Sequence, residues 1–230
     1  DADDDADDDA NDDANDDADV YPSPHAHAYT DAMISFYELK DLVLRAPGVC
    51  KTRGEIWHRY LSGIRDGNAF EFGVWNGRSI NYMAEVRPDA LFTGFDSFEG
   101  LPEAWIAGHP AGHFKTDVSK VKWRENVHLE VGWFDITLPA FLARSHAPWR
   151  QLQGVHIDCD LGSSTATILS HLGEWIRRDK PMLLFDEFYN YAGYEDHEFK
   201  AFLDWVNNTG TPFEVVARNV KHQQVLIQIL

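Results

Sequence analysis

The chain has 230 residues, 44% of them hydrophobic, enough for one domain with a sizeable core and too few for two independent ones. Its formal net charge is −18, and the twelve aspartates of residues 1–19, matched by no cation there, account for all but six of those negative charges. An acidic body without clustered Lys and Arg argues against nucleic acid as a partner, and no apolar run reaches the roughly 20 residues that a membrane span needs.

Residues 1–28 read as a disordered acidic tail and linker, because Asp, Ala and Asn cannot bury enough apolar surface to offset their ordering entropy and the like charges repel. Such a segment is either a solubilising or partner-binding arm or an inert leader. Cys50 and Cys159 are the only cysteines and neither belongs to a CxxC pair, which fits a reducing, cytoplasmic compartment. The first residues also lack the basic and apolar regions of a secretion signal.

Residues 29–230 then form the domain proper. Its first part, about 29–66, is expected to be a helical cap, broken near Ala46-Pro47-Gly48. Trp57, Tyr60 and Leu61 in that stretch pack either on the chain itself or on a second subunit, so a homo-oligomer stays open.

Strand and helix signals alternate from there on. Ala69 to Gly73 reads as a short buried strand, and Ser79 to Ala84 starts a helix after a turn over Val74 to Arg78. A second strand, Leu91 to Phe95, ends at Asp96. Past a glycine- and histidine-bearing loop, Val127 to Val131 reads as a third strand and Leu138 to Ala143 as a short helix. Val155 to Asp158 is the fourth strand, and Ser163, Ser164 and Thr165 are N-cap candidates for a helix burying Ile168, Leu169, Leu172, Trp175 and Ile176. Met182 to Phe185 is the fifth strand, ending in Asp186-Glu187. A helix marked by Phe199, Phe202, Leu203 and Val206 follows, then two closing strands, Phe213 to Ala217 and Val225 to Leu230. The alternation predicts an α/β, doubly wound, mostly parallel seven-stranded sheet with a C-terminal antiparallel hairpin, Rossmann-like in outline.

In such a sheet ligands collect beyond the carboxyl ends of the strands, where the unusual residues of this sequence concentrate. Glu71-x-Gly73-x-x-x-Gly77 ends the first strand with glycines that would let a cofactor lie against bare backbone, and Asp96 stands where a carboxylate can accept both hydroxyls of a ribose. The spacing is not the GxGxxG of dinucleotide binders, and no clear Tyr-x-x-x-Lys pair is present, which disfavours a nicotinamide enzyme. The pattern points to an adenosine cofactor; the plainer alternative is a tight turn with Asp96 capping it.

Five segments resemble successive motifs of the macrocin-type O-methyltransferases, which methylate sugar hydroxyls of macrolides: Glu71-Phe-Gly-Val-Trp-Asn-Gly-Arg-Ser79, Gly94-Phe-Asp-Ser-Phe-Glu-Gly-Leu-Pro-Glu103, Gly132-Trp-Phe with Thr137-Leu-Pro139, His156-Ile-Asp-Cys-Asp-Leu161 with Ser163-Ser-Thr165, and Asp186-Glu-Phe188. The resemblance runs in order from about Ala69 to Phe202. It implies a class I methyltransferase fold, S-adenosylmethionine as methyl donor, a divalent metal such as Mg2+, and a hydroxylated small molecule as acceptor. It also implies that Glu71, Gly73 and Gly77 border the methionine part of the cofactor, that Ser79 and Asp158 belong to the cofactor site as well, that Asp96 holds the ribose, that Ser97 and Phe98 flank the adenosine, and that Trp133 lines the adenine. Two positions depart from the family pattern: Gly162, where an aromatic is common, and Glu187, where a second aspartate is.

The residues alone also argue for a cation. Asp158 and Asp160 close the fourth strand and Asp186 and Glu187 the fifth, so neighbouring strands would bring hard oxygen ligands together. Asp158, Asp186 and Glu187 are the expected ligands, with Asp158, Asp160 or His197 as proton acceptor; the alternatives are Asp160 as a helix cap, Glu187 in solvent and His197 on the surface. His156 reads as a core histidine. The Tyr189 to Tyr194 loop suits an acceptor wall, and the Trp105 to Phe114 loop suits a lid. A protein that binds S-adenosylmethionine without catalysis, as sensor or scaffold, is the reading from a different class.

Overall fold

A computed structural model describes residues 29, 33–144 and 151–230; the predicted acidic tail and linker, 1–28, lie outside the described residues. In chain order the elements are α1 (Phe36–Leu44), β1 (Gly48–Cys50), α2 (Arg53–Gly63), β2 (Asn68–Phe72), α3 (Arg78–Val86), β3 (Leu91–Asp96), β4 (Val127–Val131), α4 (Phe134–Arg144), β5 (Leu152–Ile157), α5 (Gly162–Asp179), β6 (Met182–Phe185), α6 (Glu198–Thr209), β7 (Phe213–Asn219) and β8 (Val225–Ile229).

The strands form one sheet in the order β1-β7-β8-β6-β5-β2-β3-β4, in which only β8 runs against its neighbours. Among the described residues the sheet has eight strands rather than the predicted seven. The extra one, β1, lies inside the stretch expected to be helical and pairs with β7 at the edge. Three residues are too few to carry an alternation, and the Ala46-Pro47-Gly48 break that marks its start reads equally as a simple helix end.

Helices cover both faces. Phe70, Phe72, Phe95, Val155, Ile157 and Phe185 point to the side packed by α1, α4, α5 and α6, while Ala69, Phe92 and Leu184 face α2 and α3. That two-residue alternation decides the site, because Glu71 and His156 fall on the α2 side. α1 begins with a capping box, Ser35 and Glu38 satisfying each other's backbone N–H. α2 starts on Thr52, whose hydroxyl accepts the Glu55 N–H at 3.2 Å. α5 starts on Leu161, two to four residues before the predicted caps; Thr165 instead bonds back to the Leu161 carbonyl from inside the first turn. α4 begins a turn earlier than expected. No helix among the described residues is long and apolar enough to cross a membrane.

Strand order reverses between β2 and β5: the chain proceeds from β2 outward through β3 to β4, then returns to β5 and proceeds the other way through β6. The carboxyl ends of β2 and β5 therefore flank the crevice where open α/β sheets bind ligands.

Candidate active site at the strand switch point

At the end of β2 the chain turns sharply. The Gly73 N–H donates to the Phe95 carbonyl at 3.0 Å, and the Asp158 N–H to the Phe72 carbonyl at 2.9 Å, tying the turn to β3 and β5. Gly73 has φ +88°, and a Cβ there would lie 1.7 Å from the Asp158 carbonyl oxygen. Glycine is thus required by the neighbouring strand end, a different reason from the cofactor approach that the sequence suggested. A Cβ on Gly77 would likewise lie 2.6 Å from the Trp123 ring, so protein also fills that space.

Asp96, expected to hold a ribose, also has a structural task. Its Oδ2 accepts the N–H groups of Val74 at 2.8 Å and Trp75 at 2.7 Å, and Oδ1 accepts that of Phe98 at 2.7 Å. An ionised carboxylate offers about four lone-pair sites, so acceptor capacity remains on Oδ1. Ser79 is half-buried in the first turn of α3, and the Ser97 hydroxyl accepts the Glu99 N–H. Phe98, expected to flank the adenosine, is buried against Trp123 in the α2–α3 core, with φ +56°. Trp75 and Trp133 remain partly exposed, at 37% and 39%.

Glu71 and His156 are register partners on β2 and β5 and are both fully buried. His156 Nδ1 meets Glu71 Oε1 at 2.9 Å, and its Nε2 stands 3.8 Å from Asp186 Oδ1. Glu71 is thus sealed in the core as the partner of His156. Burial pulls the His156 pKa down, but Asp186 and Glu71 outweigh it and push it up to about 10.

The carboxylates past β5 and β6 converge as expected. Asp158, Asp186 and Glu187 each offer an oxygen within 4.8 Å of the others. Burial first, and then the Asp186 charge, raise Asp158 and Glu187 well above the carboxylate range. The same two causes bring Asp160 to about 7. Asp186 goes the other way: burial opposes ionisation, but His156 and the Arg53 guanidinium hold it low. Asp160 does not cap α5; φ +63° holds it, 8% exposed, beside the charge of Asp186.

Sequence reasoning missed two members of this group. Glu198 is fully buried, and its Oε2 accepts the Glu187 N–H at 3.1 Å. It lies on the buried stripe of α6 with Ala201, Phe202 and Trp205, so a charge on an apolar face was the legible sign. Arg53 donates from Nη2 to Asp186 Oδ2 at 2.7 Å, and no local pattern announces a contact so distant in sequence. Asp186 Oδ1, Glu187 Oε2 and Glu198 Oε1 are buried without a hydrogen-bond partner among the described residues. An all-oxygen donor set with orphaned, mutually repelling carboxylates fits a hard divalent cation.

Aromatic residues wall the outer side. Trp105 meets Tyr191 at 5.7 Å and His197 at 6.4 Å, while Tyr189 and Tyr194 turn into the core. His197 is half-buried at the start of α6, its pKa lowered by burial, and its backbone occupies the place that a side chain on Gly162 would take. The 98–116 loop is seated between the two halves of the site: Phe114 meets Trp75 at 5.4 Å, and Glu103 accepts from the Ser163 hydroxyl at 2.6 Å.

No protein-family model matches the sequence, and no curated protein matches it. Solved structures do match the fold. The O-methyltransferase NovP superposes with a TM-score of 0.51 over 76% of this chain and 78% of its own, at 22% identity. The fold is that of class I methyltransferases. MycE methyltransferase from the mycinamycin biosynthetic pathway, solved with Mg and SAH, matches with a TM-score of 0.51 at 14% identity, over 77% of this chain and 49% of MycE. This chain thus spans about half the length of MycE.

Proposed function

We propose that the chain is an S-adenosylmethionine-dependent O-methyltransferase, similar to the macrocin type, that methylates a hydroxyl of a small molecule with a divalent cation such as Mg2+ in its site. One observation carries the reading: the Asp158, Asp186 and Glu187 oxygens cluster within 4.8 Å beside the glycine turn, at the switch point of a methyltransferase fold. The turn and the cluster are contiguous, since Gly73 packs on the backbone of Asp158 itself.

Asp158, Asp186 and Glu187 would hold the cation, which when bound supplies positive charge that orients an alcohol and makes it more acidic. The acceptor oxygen would take the methyl group of a bound donor, the C–S bond breaking as the O–C bond forms, and the alcohol proton would pass to a protein group. Asp160, buried and raised to about 7 by burial and the Asp186 charge, is the proposed proton acceptor. His197, kept neutral by burial, lines the aromatic wall with Trp105 and Tyr191. Most of the rate would come from alignment, because the donor is already activated.

Calorimetry with S-adenosylmethionine, followed by measurement of cation-dependent S-adenosylhomocysteine release over a library of hydroxylated acceptors, tests this reading. Asp96→Ala is expected to weaken cofactor binding by about tenfold or more, as loss of a charged hydrogen-bond acceptor does. Cofactor binding without turnover on any acceptor would favour a sensor instead.

A further inference from the structure

Asp186 already has a cation of the chain's own. Arg53, the first residue of α2, reaches from the N-terminal part of the domain to the end of β6 and bonds Asp186 Oδ2 at 2.7 Å. The Asp186 side chain is 1% exposed and that of Arg53 is 52% exposed. Asp186 Oδ1 is buried with no hydrogen-bond partner, and the same carboxylate belongs to the group whose oxygens lie within 4.8 Å of one another.

We propose that Arg53 is the resident counter-cation of this carboxylate group, and that a divalent cation enters by displacing its guanidinium from Asp186. The inference rests on the divalent-cation reading above and adds what controls occupancy of that site. A guanidinium keeps its charge in a protein, so it cannot yield to an incoming cation by losing a proton. A cation arriving on Asp186 is repelled both by His156, 3.8 Å from Oδ1 and sealed in the core, and by Arg53, and the repulsion is strong where water is scarce. One of them must move, and Arg53 is the one with solvent at its back. The helix behind it stays anchored by Ile56, Tyr60 and Leu61, all buried, so a side-chain swing suffices. In the cation-free protein, Arg53 and His156 together offset the cost of burying the Asp186 charge.

Titration of the full-length protein, Arg53→Gln and Arg53→Lys with Mn2+ by calorimetry, with thermal melts in the presence and absence of Mn2+, tests the idea. Arg53→Gln is expected to bind Mn2+ about tenfold more tightly or better, because a competing charge is gone. It should also melt below the parent protein without Mn2+ and gain more from its addition, while Arg53→Lys, which keeps a displaceable charge, stays nearer the parent in affinity. Equal or weaker Mn2+ affinity in Arg53→Gln, with the parent binding Mn2+ normally, overturns the displacement alone. Failure of all three proteins to bind Mn2+ overturns the cation reading beneath it.

Discussion

Asp186→Asn is expected to lower cation-dependent methyl transfer by about a thousandfold, the scale of several kcal/mol of lost electrostatic stabilisation at the reacting oxygen. The substitution keeps the shape of the side chain and removes its charge, so it disarms the ligand group without opening a cavity. S-adenosylmethionine affinity should be unchanged, because the glycine turn is held by the backbones of Phe95 and Phe72 and by the Asp96 carboxylate, none of which touches Asp186. Stability should fall by about 2 kcal/mol, since Arg53 and His156 then face a neutral amide. Turnover with a titrated cation, cofactor calorimetry and urea denaturation read the three quantities separately. Loss of cofactor affinity equal to the loss of turnover would contradict the division of roles.

Gly73→Ala should be the most damaging single methyl group that can be added to the site. At φ +88° the backbone is in a region that costs an alanine roughly 1–2 kcal/mol. The larger cost is steric, because the new Cβ would sit 1.7 Å from the Asp158 carbonyl oxygen and one strand end must retreat. The expected loss is more than about 4 kcal/mol by denaturant unfolding, in the range reserved for severe core strain. Any folded fraction should bind Mn2+ poorly, because the residue pushed aside is a proposed ligand. A loss below about 1 kcal/mol, as for an ordinary surface substitution, would mean that the turn relaxes freely and that its tie to β5 is not structural.

Much of the architecture was legible because its signals are local. β2, β3, β5 and β6 are buried runs, as central parallel strands are, ending at or just before a Gly or Asp, and the stripe of α5 has a helical period. The convergence of Asp158, Asp186 and Glu187 followed from placing two strand ends side by side. What escaped has a different origin. β1 is too short for a period, and its pairing with β7 joins residues far apart in the chain. Arg53 reaches Asp186 across the fold, and Glu71 finds His156 only through sheet register. The glycine turn was found for an incomplete reason: an invisible neighbour, the Asp158 carbonyl, imposes what a bound ligand alone was taken to impose. Phe98, read as a cofactor contact from its motif, is buried in the core, a packing that a local motif does not specify.

The central claim is that the ends of β5 and β6 form one cation site next to the turn after β2. Crystals of the full-length protein soaked with Mn2+ and S-adenosylhomocysteine, with diffraction recorded at the manganese absorption edge, test it directly. The account predicts a single strong anomalous peak coordinated by Asp158, Asp186 and Glu187, with the nucleoside lying against the turn that begins at Gly73. Manganese bound elsewhere, or a nucleoside seated away from that turn while those three carboxylates stay empty, would contradict it.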